Sequence, residues 1–315
     1  MLTPTQAAAA SRERPAFAPY VDMTLNSDSL AKMRAGSGVR QMTLAFIVSG
    51  RSCVASWGGY YGLGDATIRK RVTAFEKSGG KAIVSFGGAA GQELADTCDT
   101  ASALAAQYQA VIDAYGIRDL DFDVEGADQA NTATIDRRFE ALRKVQIAAR
   151  KAGHPVRLSL TLPVMPSGLT NDGLKVVRSA IAHKVHVGTV NVMTMDYFDS
   201  SLDYAGHMGD LAIRAVRSTH RQLARLYPKL SDAKVWRMLG ATPMLGVNDD
   251  PKEIFTVANA DQLTSFAKSK GMSRLAMWSL NRDAPCPSPS TQASNTCSGV
   301  AGPRWAFSKA FEAFG

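Results

Sequence analysis

The sequence contains no long apolar run. Although 45% of its 315 residues are hydrophobic, no stretch of about 18 consecutive apolar residues occurs, so we expect no membrane-spanning helix and no membrane partner. The first fifteen residues, MLTPTQAAAASRERP, hold no apolar segment long enough for a signal peptide. We predict a disordered leader over residues 1–15 and one folded domain over residues 16–315.

Patterns typical of phosphate and metal binding are also missing. The glycine-rich segment GGYYGLG at 58–64 does not open a helix directly after a strand with GxGxxG spacing, so we interpret it as a flexible loop. The five histidines are not grouped as ligands near predicted strand ends, except for a weak case at His207. No CxxC pair occurs, and the cysteines are not spaced with histidine for zinc.

Positive charge is in excess, with 36 Lys and Arg against 28 Asp and Glu and a formal net charge of +8. A nucleic-acid site would interleave aromatic residues with a basic stripe, and no such stripe is present. We interpret the scattered basic residues as solvated helix faces, and we expect no nucleic-acid partner. The clearest examples are residues 69–71, Arg137, Arg138, Arg143 and Lys144.

Only four cysteines are present. Cys286 and Cys297 bracket a Pro/Ser/Thr-rich loop without periodicity, and a disulfide there would fix a loop that has no other constraint. Cys53 and Cys98 each follow a predicted strand, so they could meet on one rim. We predict both disulfides and a secreted, extracellular protein; four free thiols are the alternative.

Eight apolar, β-rich segments alternate with helical patterns. Predicted helices end at Gly116, at Gly153, before Pro228 and at Gly271. Such alternation predicts an α/β fold with a parallel sheet, closed as a single-domain (β/α)8 TIM barrel; an open doubly wound sheet is the rival. The predicted strands are 17–23, 41–48, 81–87, 119–125, 156–164, 187–196, 236–244 and 274–280.

The fourth predicted strand contains three alternating carboxylates. In IRDLDFDVEG, residues 117–126, Asp121, Asp123 and Glu125 sit at every second position, so their side chains share one face of a strand. The apolar face suits the helices, which directs the acids into the barrel with Glu125 nearest the carboxyl-end rim. Repulsion and desolvation should raise at least one pKa, as a general acid requires. A solvent-exposed acidic edge and a metal site are the alternatives.

These segments resemble the motifs of glycoside hydrolase family 18, the chitinase family. DLDFDVE resembles the family's DxxDxDxE signature, and SFGG at 85–88 resembles its SxGG motif. MTMDY at 193–197 resembles its sixth-strand motif, and Trp278 falls at its eighth-strand tryptophan. The resemblance is greatest with bacterial chitinases, including GVND after the seventh strand. Two departures are Arg118–Asp119, where the signature begins Asp-Gly, and Met195, where many members have Tyr.

The resemblance implies a substrate-assisted glycosidase that retains configuration through an oxazolinium ion. Glu125 would protonate the glycosidic oxygen and later activate water. Asp123 would orient the substrate's acetamido group, and Asp121 would share a proton with Asp123. Tyr197 would hold the acetamido oxygen in place of a tyrosine at Met195. The resemblance implies chitin or chitooligosaccharides as partner and no metal or organic cofactor; a monomer is the default for this architecture.

Further residues are candidates for a sugar cleft. Trp278 would form its floor, and Trp57 would stack on a second sugar, although core packing is the alternative for any single aromatic. The short link between the seventh and eighth strands leaves no room for an α+β insertion domain, so we expect an open groove and endo-type cleavage. The predicted substrate-binding residues are Trp278, Asp196, Met193, Met195, Ser85, Gly87, Gly88, Trp57, Tyr20, Met165 and Asn248.

Three other functions stay open. An endo-β-N-acetylglucosaminidase that releases N-glycans would share the acid row, the three carboxylates Asp121, Asp123 and Glu125. A barrel that binds chitin without cleaving it would typically lack the acid, so the presence of Glu125 and Asp123 favours a hydrolase. A barrel with unrelated chemistry is the third.

Overall fold

Each of the eight predicted apolar segments contains a strand in the computed structural model, which describes residues 15–25 and 28–315. The predicted leader over residues 1–15 lies outside the described residues except for Pro15, so it stays a prediction, as does the domain division. The strands are β1 Ala16–Phe17, β2 Tyr20–Asp22, β3 Gln41–Ser49, β4 Ala55–Trp57, β5 Tyr61–Gly62, β6 Lys81–Gly87, β7 Asp119–Asp123, β8 Arg157–Met165, β9 Gly168–Leu169, β10 Thr189–Met193, β11 Leu239–Thr242, β12 Gly246–Val247, β13 Ile254–Phe255 and β14 Arg274–Leu275.

Helices follow the strands around the outside of the sheet. They are α1 Leu30–Ser37, α2 Ala66–Lys77, α3 Leu94–Thr97, α4 Ala101–Tyr115, α5 Thr132–Lys151, α6 Asn171–Ala182, α7 Met208–Leu226, α8 Asp232–Trp236, α9 Val257–Lys270 and α10 Ala306–Glu312. As predicted, α4 and α9 end on left-handed glycines, Gly116 with φ 70° and Gly271 with φ 68°. Two short 3-10 turns, Gly126–Gln129 and Leu280–Arg282, lie after β7 and β14.

The first strand segment closes the barrel. On one side, β1 pairs in parallel with β14; on the other, β2 pairs in parallel with β3. The ladder continues between the two pieces, because Ala18 donates to the carbonyl of Leu275 at 2.8 Å and Thr43 donates to that of Pro19 at 2.9 Å. Pro19 has no N–H, which interrupts the pairing and separates β1 from β2. The (β/α)8 barrel is therefore confirmed.

The remaining barrel strands are parallel neighbours in the order β3, β6, β7, β8, β10, β11 and β14. Between β11 and β14 the chain forms only the β12–β13 hairpin and α9, so the predicted absence of an insertion domain is confirmed. The segment 58–64 was predicted to be a flexible loop. Instead it contains the turn after β4 and the short strand β5, which pairs with β4 in antiparallel orientation.

The alternation within β7 separates an apolar outer face from an acidic inner face. Phe122 stacks on Phe86 of β6, with ring centroids 4.9 Å apart, and meets the edge of Tyr108 from α4 at 5.1 Å. These contacts lie between sheet and helices. Asp121 and Asp123 therefore point into the barrel, as predicted from the sequence.

Both predicted disulfides form. Cys53 pairs with Cys98, with Cα atoms 4.5 Å apart, and Cys286 pairs with Cys297, with Cα atoms 5.0 Å apart. The first ties the β3–β4 connection to the end of α3, and the second closes the Pro/Ser/Thr-rich loop. None of the described helices is long and apolar enough to cross a membrane.

Candidate active site

Asp121 lies fully buried in the barrel interior and accepts hydrogen bonds on both carboxyl oxygens. Tyr20 of β2 and Ser85 of β6 each donate to Oδ2 at 2.8 Å. Ser159 and Thr161, neighbours on one face of β8, bond to Oδ1, Thr161 at 2.9 Å. Hydroxyls from three strands thus hold this carboxyl in one orientation.

A second layer of polar side chains supports these hydroxyls. Arg274 of β14 donates to Ser159 at 2.7 Å and lies 4.0 Å from Asp121 Oδ1. Asn191 of β10 donates to Thr161 at 3.1 Å. Sequence reasoning named Tyr20 and Ser85 and missed the rest, although the alternating hydroxyls of RLSLTL at 157–162 were an available signal.

The carboxyls of Asp123 and Glu125 are hydrogen-bonded neighbours at the carboxyl end of β7. Burial raises the pKa of Asp123 well above its usual range, and the charges of Glu125, Asp121 and Glu93 raise this pKa further. Burial also raises the pKa of Glu125 to about 7, while a hydrogen bond from Asp123 acts against this rise. The two carboxyls are thus joined by a hydrogen bond, and burial together with their mutual repulsion favours a proton on this pair.

Glu125 lies two residues beyond the last residue of β7, in extended conformation, and directly precedes the 3-10 turn Gly126–Gln129. The predicted strand reached Glu125, whereas the observed strand ends at Asp123. The side chain is nevertheless only partly exposed, on the rim where barrel active sites lie.

Asp196 joins this carboxylate row from the end of β10. It has a left-handed backbone, with φ 48°, and its Oδ1 accepts the backbone N–H of Asp249 at 2.8 Å. Burial raises the pKa of Asp196 to about 7. Its charge in turn raises the pKa of Glu125, so the structure brings these two predicted residues together.

Tyr197 occupies a different environment. Its hydroxyl is buried and has no hydrogen-bond partner in the described part of the chain. Burial raises the pKa of Tyr197 well above its usual range, and the charges of Glu253 and Tyr204 raise it further. Neither neighbour belongs to the acid row, so this environment gives no support to the predicted role on the acetamido oxygen.

Trp278 belongs to an aromatic cluster at the mouth of the barrel. Its partly exposed ring stacks on Phe46 of β3, with centroids 5.6 Å apart and planes 17° apart, and lies 6.1 Å from the ring of Tyr20. Gly88, with φ 88°, leaves room for Phe46, because an added Cβ would lie 2.8 Å from that ring. Phe46 was missed by sequence reasoning, since a phenylalanine in an apolar strand has no distinguishing pattern.

Two other predicted cleft residues are buried and make their hydrogen bonds to other parts of the protein. Trp57 is fully buried, and its Nε1 donates to the hydroxyl of Tyr115 at 2.8 Å. A buried ring presents no face to a ligand, which corrects the interpretation of Trp57 as a stacking residue. Asn248 is also fully buried, and its amide donates to the carbonyls of Met244 and Gly246, so its contacts are those of a loop-shaping residue.

The two remaining methionine candidates differ from Met195 in exposure. Met193, the last residue of β10, and Met165, the last residue of β8, are both partly exposed at the carboxyl ends of their strands, whereas Met195 is buried. Their position is compatible with a cleft, and their roles stay predictions.

One buried ion pair behind the row was not predicted. Arg138 of α5, interpreted from the sequence as solvated, is fully buried and pairs with Glu93. The prediction for Arg138 was wrong because the helical pattern does not show which face the neighbouring helices cover. Across residues 15–25 and 28–315, no three His, Cys, Asp or Glu side chains group as metal ligands.

Fold and site together define a closed barrel whose inner face carries a row of carboxyls leading to the carboxyl-end rim, and known proteins share this chain's sequence and fold. A probable bifunctional chitinase/lysozyme of Escherichia coli (strain K12) is 35% identical over 306 residues, 95% of this chain and 34% of that protein. Endochitinase 11 of Metarhizium anisopliae is 36% identical over 275 residues, 85% of this chain and 52% of that protein. The chain thus spans about a third and about half of these two relatives.

A solved structure is similar over nearly the whole chain. The catalytic domain of the hyperthermophilic chitinase from Pyrococcus furiosus has a TM-score of 0.84 and 36% identity, with 96% of each chain covered. A family 18 chitinase from Pseudoalteromonas aurantia, at 14% identity and a TM-score of 0.57, shares the fold. No family model matches the chain. On this similarity the chain belongs to glycoside hydrolase family 18, the chitinase family.

Proposed function

We propose that this protein is a chitinase that cleaves β-1,4-linked N-acetylglucosamine polymers internally and with retention of configuration. The hydrogen-bonded pair of Asp123 and Glu125 carries this proposal. A carboxyl with a pKa of about 7 stays largely protonated in mildly acidic solution and can act as a general acid. Its hydrogen-bonded neighbour lies on the same inner face of the barrel.

In the first step Glu125 protonates the glycosidic oxygen as the bond to the anomeric carbon breaks. The carbonyl oxygen of the substrate's own 2-acetamido group forms a bond to that carbon, which gives an oxazolinium ion and a free sugar hydroxyl. This substrate-assisted route needs no second protein carboxylate as nucleophile.

Asp123 supplies the group that orients the acetamido nitrogen. Its Oδ1 is buried and has no hydrogen-bond partner among the described residues, and an unsatisfied buried acceptor is costly. An acetamido N–H placed against this oxygen would satisfy it and would direct the carbonyl towards the anomeric carbon. The same contact stabilises the positive charge of the oxazolinium ion.

Asp121 is the member of the acid row that lies in the barrel interior, farthest from the rim, and its position is fixed. Because hydroxyls from three strands hold its oxygens, Asp121 cannot move towards the substrate. We propose that it shares a proton with Asp123 when the contact between Asp123 and Glu125 opens. In the second step Glu125, now ionised, takes a proton from water, whose oxygen opens the oxazolinium ring and restores the original configuration.

The absence of an insertion between β11 and β14 supports an open groove and endo-type cleavage, and the two disulfides support a secreted protein. Trp278, backed by Phe46, offers the apolar face on which a sugar ring would stack.

The test is product analysis by mass spectrometry after incubation with chitin hexamer, comparing the natural protein with Glu125→Gln. Asp119→Asn is a matched control, because Asp119 lies at the opposite end of β7 in an ion pair with Arg157. We expect dimers, trimers and tetramers from the natural protein and from the control, and an intact hexamer with Glu125→Gln. NMR of the first product formed should show the β-anomer.

An intact hexamer in all three samples would contradict the proposal. The same proteins would then be tested on N-glycans. Retention on a chitin column without cleavage of either substrate would instead indicate a binding protein.

A further inference from the structure

The ion pair of Glu93 and Arg138 is buried next to the acid row. Glu93 directly precedes α3, and Arg138 lies in the second turn of α5. The Arg138 side chain is 0% exposed and that of Glu93 is 8% exposed. Nε and Nη1 of Arg138 have no partner in the described part of the chain. Glu93 is therefore the group that compensates a buried guanidinium, which cannot give up its proton.

Glu93 reaches the row through a gap left by Gly87. Gly87 of β6 pairs in register with Asp123 of β7. A Cβ on Gly87 would lie 3.1 Å from Glu93 Oε1 and 2.1 Å from the carbonyl oxygen of Asp123. Because Gly87 has no side chain, the Glu93 carboxylate and the backbone of Asp123 approach the same point from two sides.

Several charged or titratable groups face Glu93 from the elements around it. They are Arg138 from α5, Tyr108 from α4, Asp96 from α3, Asp128 from the 3-10 turn, and Asp123 with Glu125 at the end of β7. Asp96 and Asp128 are hydrogen-bonded to each other, and burial raises the pKa of Asp128 to about 7. Arg138 is the cation of this group, and Glu93 is the carboxylate that contacts it directly.

We propose that Glu93, held in place by Arg138, is a positioning residue whose buried negative charge opposes the ionisation of Glu125 and so preserves the general acid of the reaction. This inference rests on the proposed function. Consistent with it, the charge of Glu93 raises the pKa of both Asp123 and Glu125. Burial raises the pKa of Glu93 itself, and the charge and hydrogen bond of Arg138 act against this rise, so Arg138 is the contact that favours the charged form of Glu93.

The inference can be tested without any turnover by titrating Glu125 directly. Protein labelled with ¹³C at the glutamate carboxyls would be titrated by NMR, and the Glu125 signal would be assigned by its loss in Glu125→Gln. In Glu93→Gln we expect the midpoint of Glu125 to fall by about half a unit to one unit, because a like charge in a medium of low polarity has been removed. Asp119→Asn removes the same charge from the far end of β7 and should leave the midpoint in place.

Glu93→Gln leaves Arg138 without its counter-charge and should lower the melting temperature, so the double variant Glu93→Gln/Arg138→Gln provides a second measurement in which neither member of the pair is charged. Its midpoint should also fall, to a value between those of Glu93→Gln and the natural protein. The alkaline limb of kcat/KM on chitotriose derivatives should move with the NMR midpoint in both variants.

An unchanged Glu125 midpoint in both variants, whatever their stability, would overturn the inference and leave the pair a purely structural contact. A lowered midpoint in a protein that does not cleave chitin would support the charge effect and contradict the proposed function. The two failures are therefore distinguishable.

Discussion

Gly87 and Asp123 are paired residues of neighbouring parallel strands, and a side chain on the first would collide with the backbone of the second. A Cβ added at Gly87, whose φ is 93°, would lie 2.1 Å from the carbonyl oxygen of Asp123. The same carbonyl accepts the N–H of Gly88 at 3.0 Å. The two glycines of the SFGG motif, at the end of β6, thus set the position of the acid row through their backbone contacts with Asp123.

We therefore expect Gly87→Ala to displace Asp123 and to abolish measurable hydrolysis, with destabilisation of about 2 kcal/mol or more from strain at a positive φ and from the collision. Activity on chitin hexamer and urea unfolding would measure the two effects. Gly116→Ala is the matched control, because Gly116 also has positive φ but an added Cβ there meets nothing within 4 Å. It should lose stability and keep activity.

The pKa of Glu125, about 7, predicts the alkaline limit of activity. Only the protonated carboxyl can donate to the glycosidic oxygen, so kcat/KM should fall tenfold per pH unit above about pH 7. Asp196→Asn should move this limit to lower pH, because the charge of Asp196 raises the pKa of Glu125. Initial rates with a fluorogenic chitotrioside between pH 4 and pH 9 would measure both; a limit that stays in place in Asp196→Asn would contradict the coupling.

The same pKa predicts that Glu125 makes folding less favourable at high pH. Its folded pKa is raised from 4.5 to about 7, so the folded state binds more protons than the unfolded state between these values. Stability should therefore decline as pH rises from 4.5 to about 7, by about 3 kcal/mol at most from this residue. Glu125→Gln should be more stable than the natural protein at pH 8 and equally stable at pH 4, as measured by urea unfolding.

The two disulfides should differ in their contribution to stability. Cys53 and Cys98 are 45 residues apart in sequence, whereas Cys286 and Cys297 are 11 apart. The loop-entropy relation gives about 4 kcal/mol for the first and about 3 kcal/mol for the second. Double replacement of each pair by alanine, followed by urea unfolding, would compare them; a larger loss from Cys286/Cys297 would show that loop entropy is not the dominant effect.

Tyr197→Phe tests the acetamido-holding role that the sequence suggested. Since the hydroxyl lies near Glu253 and Tyr204 and makes no hydrogen bond to the described residues, its removal breaks no protein contact, and we expect less than a tenfold change in kcat. Steady-state kinetics on chitin hexamer would measure this. A loss of a hundredfold or more with unchanged melting temperature would instead support contact between Tyr197 and the substrate.

Much of this architecture follows from local patterns. Alternation in DLDFDVE is enough to place Asp121 and Asp123 on one face and Phe122 on the other, because side chains of a strand alternate by geometry. Gly116 and Gly271 end helices because glycine adopts a left-handed backbone at little cost. Eight apolar segments separated by helical patterns leave few ways to bury one core, and the closed barrel is one of them.

Other features were decided only by the tertiary structure. Tyr20 and Asp121 are 101 residues apart, and Glu93 and Arg138 are 45 apart; each pair meets because barrel closure and helix packing bring distant segments together. Trp57 is an aromatic residue of the type that stacks on sugars, and it is nevertheless fully buried. Periodicity along a chain specifies which face a side chain occupies, whereas the atoms that it meets on that face depend on which distant segments pack there.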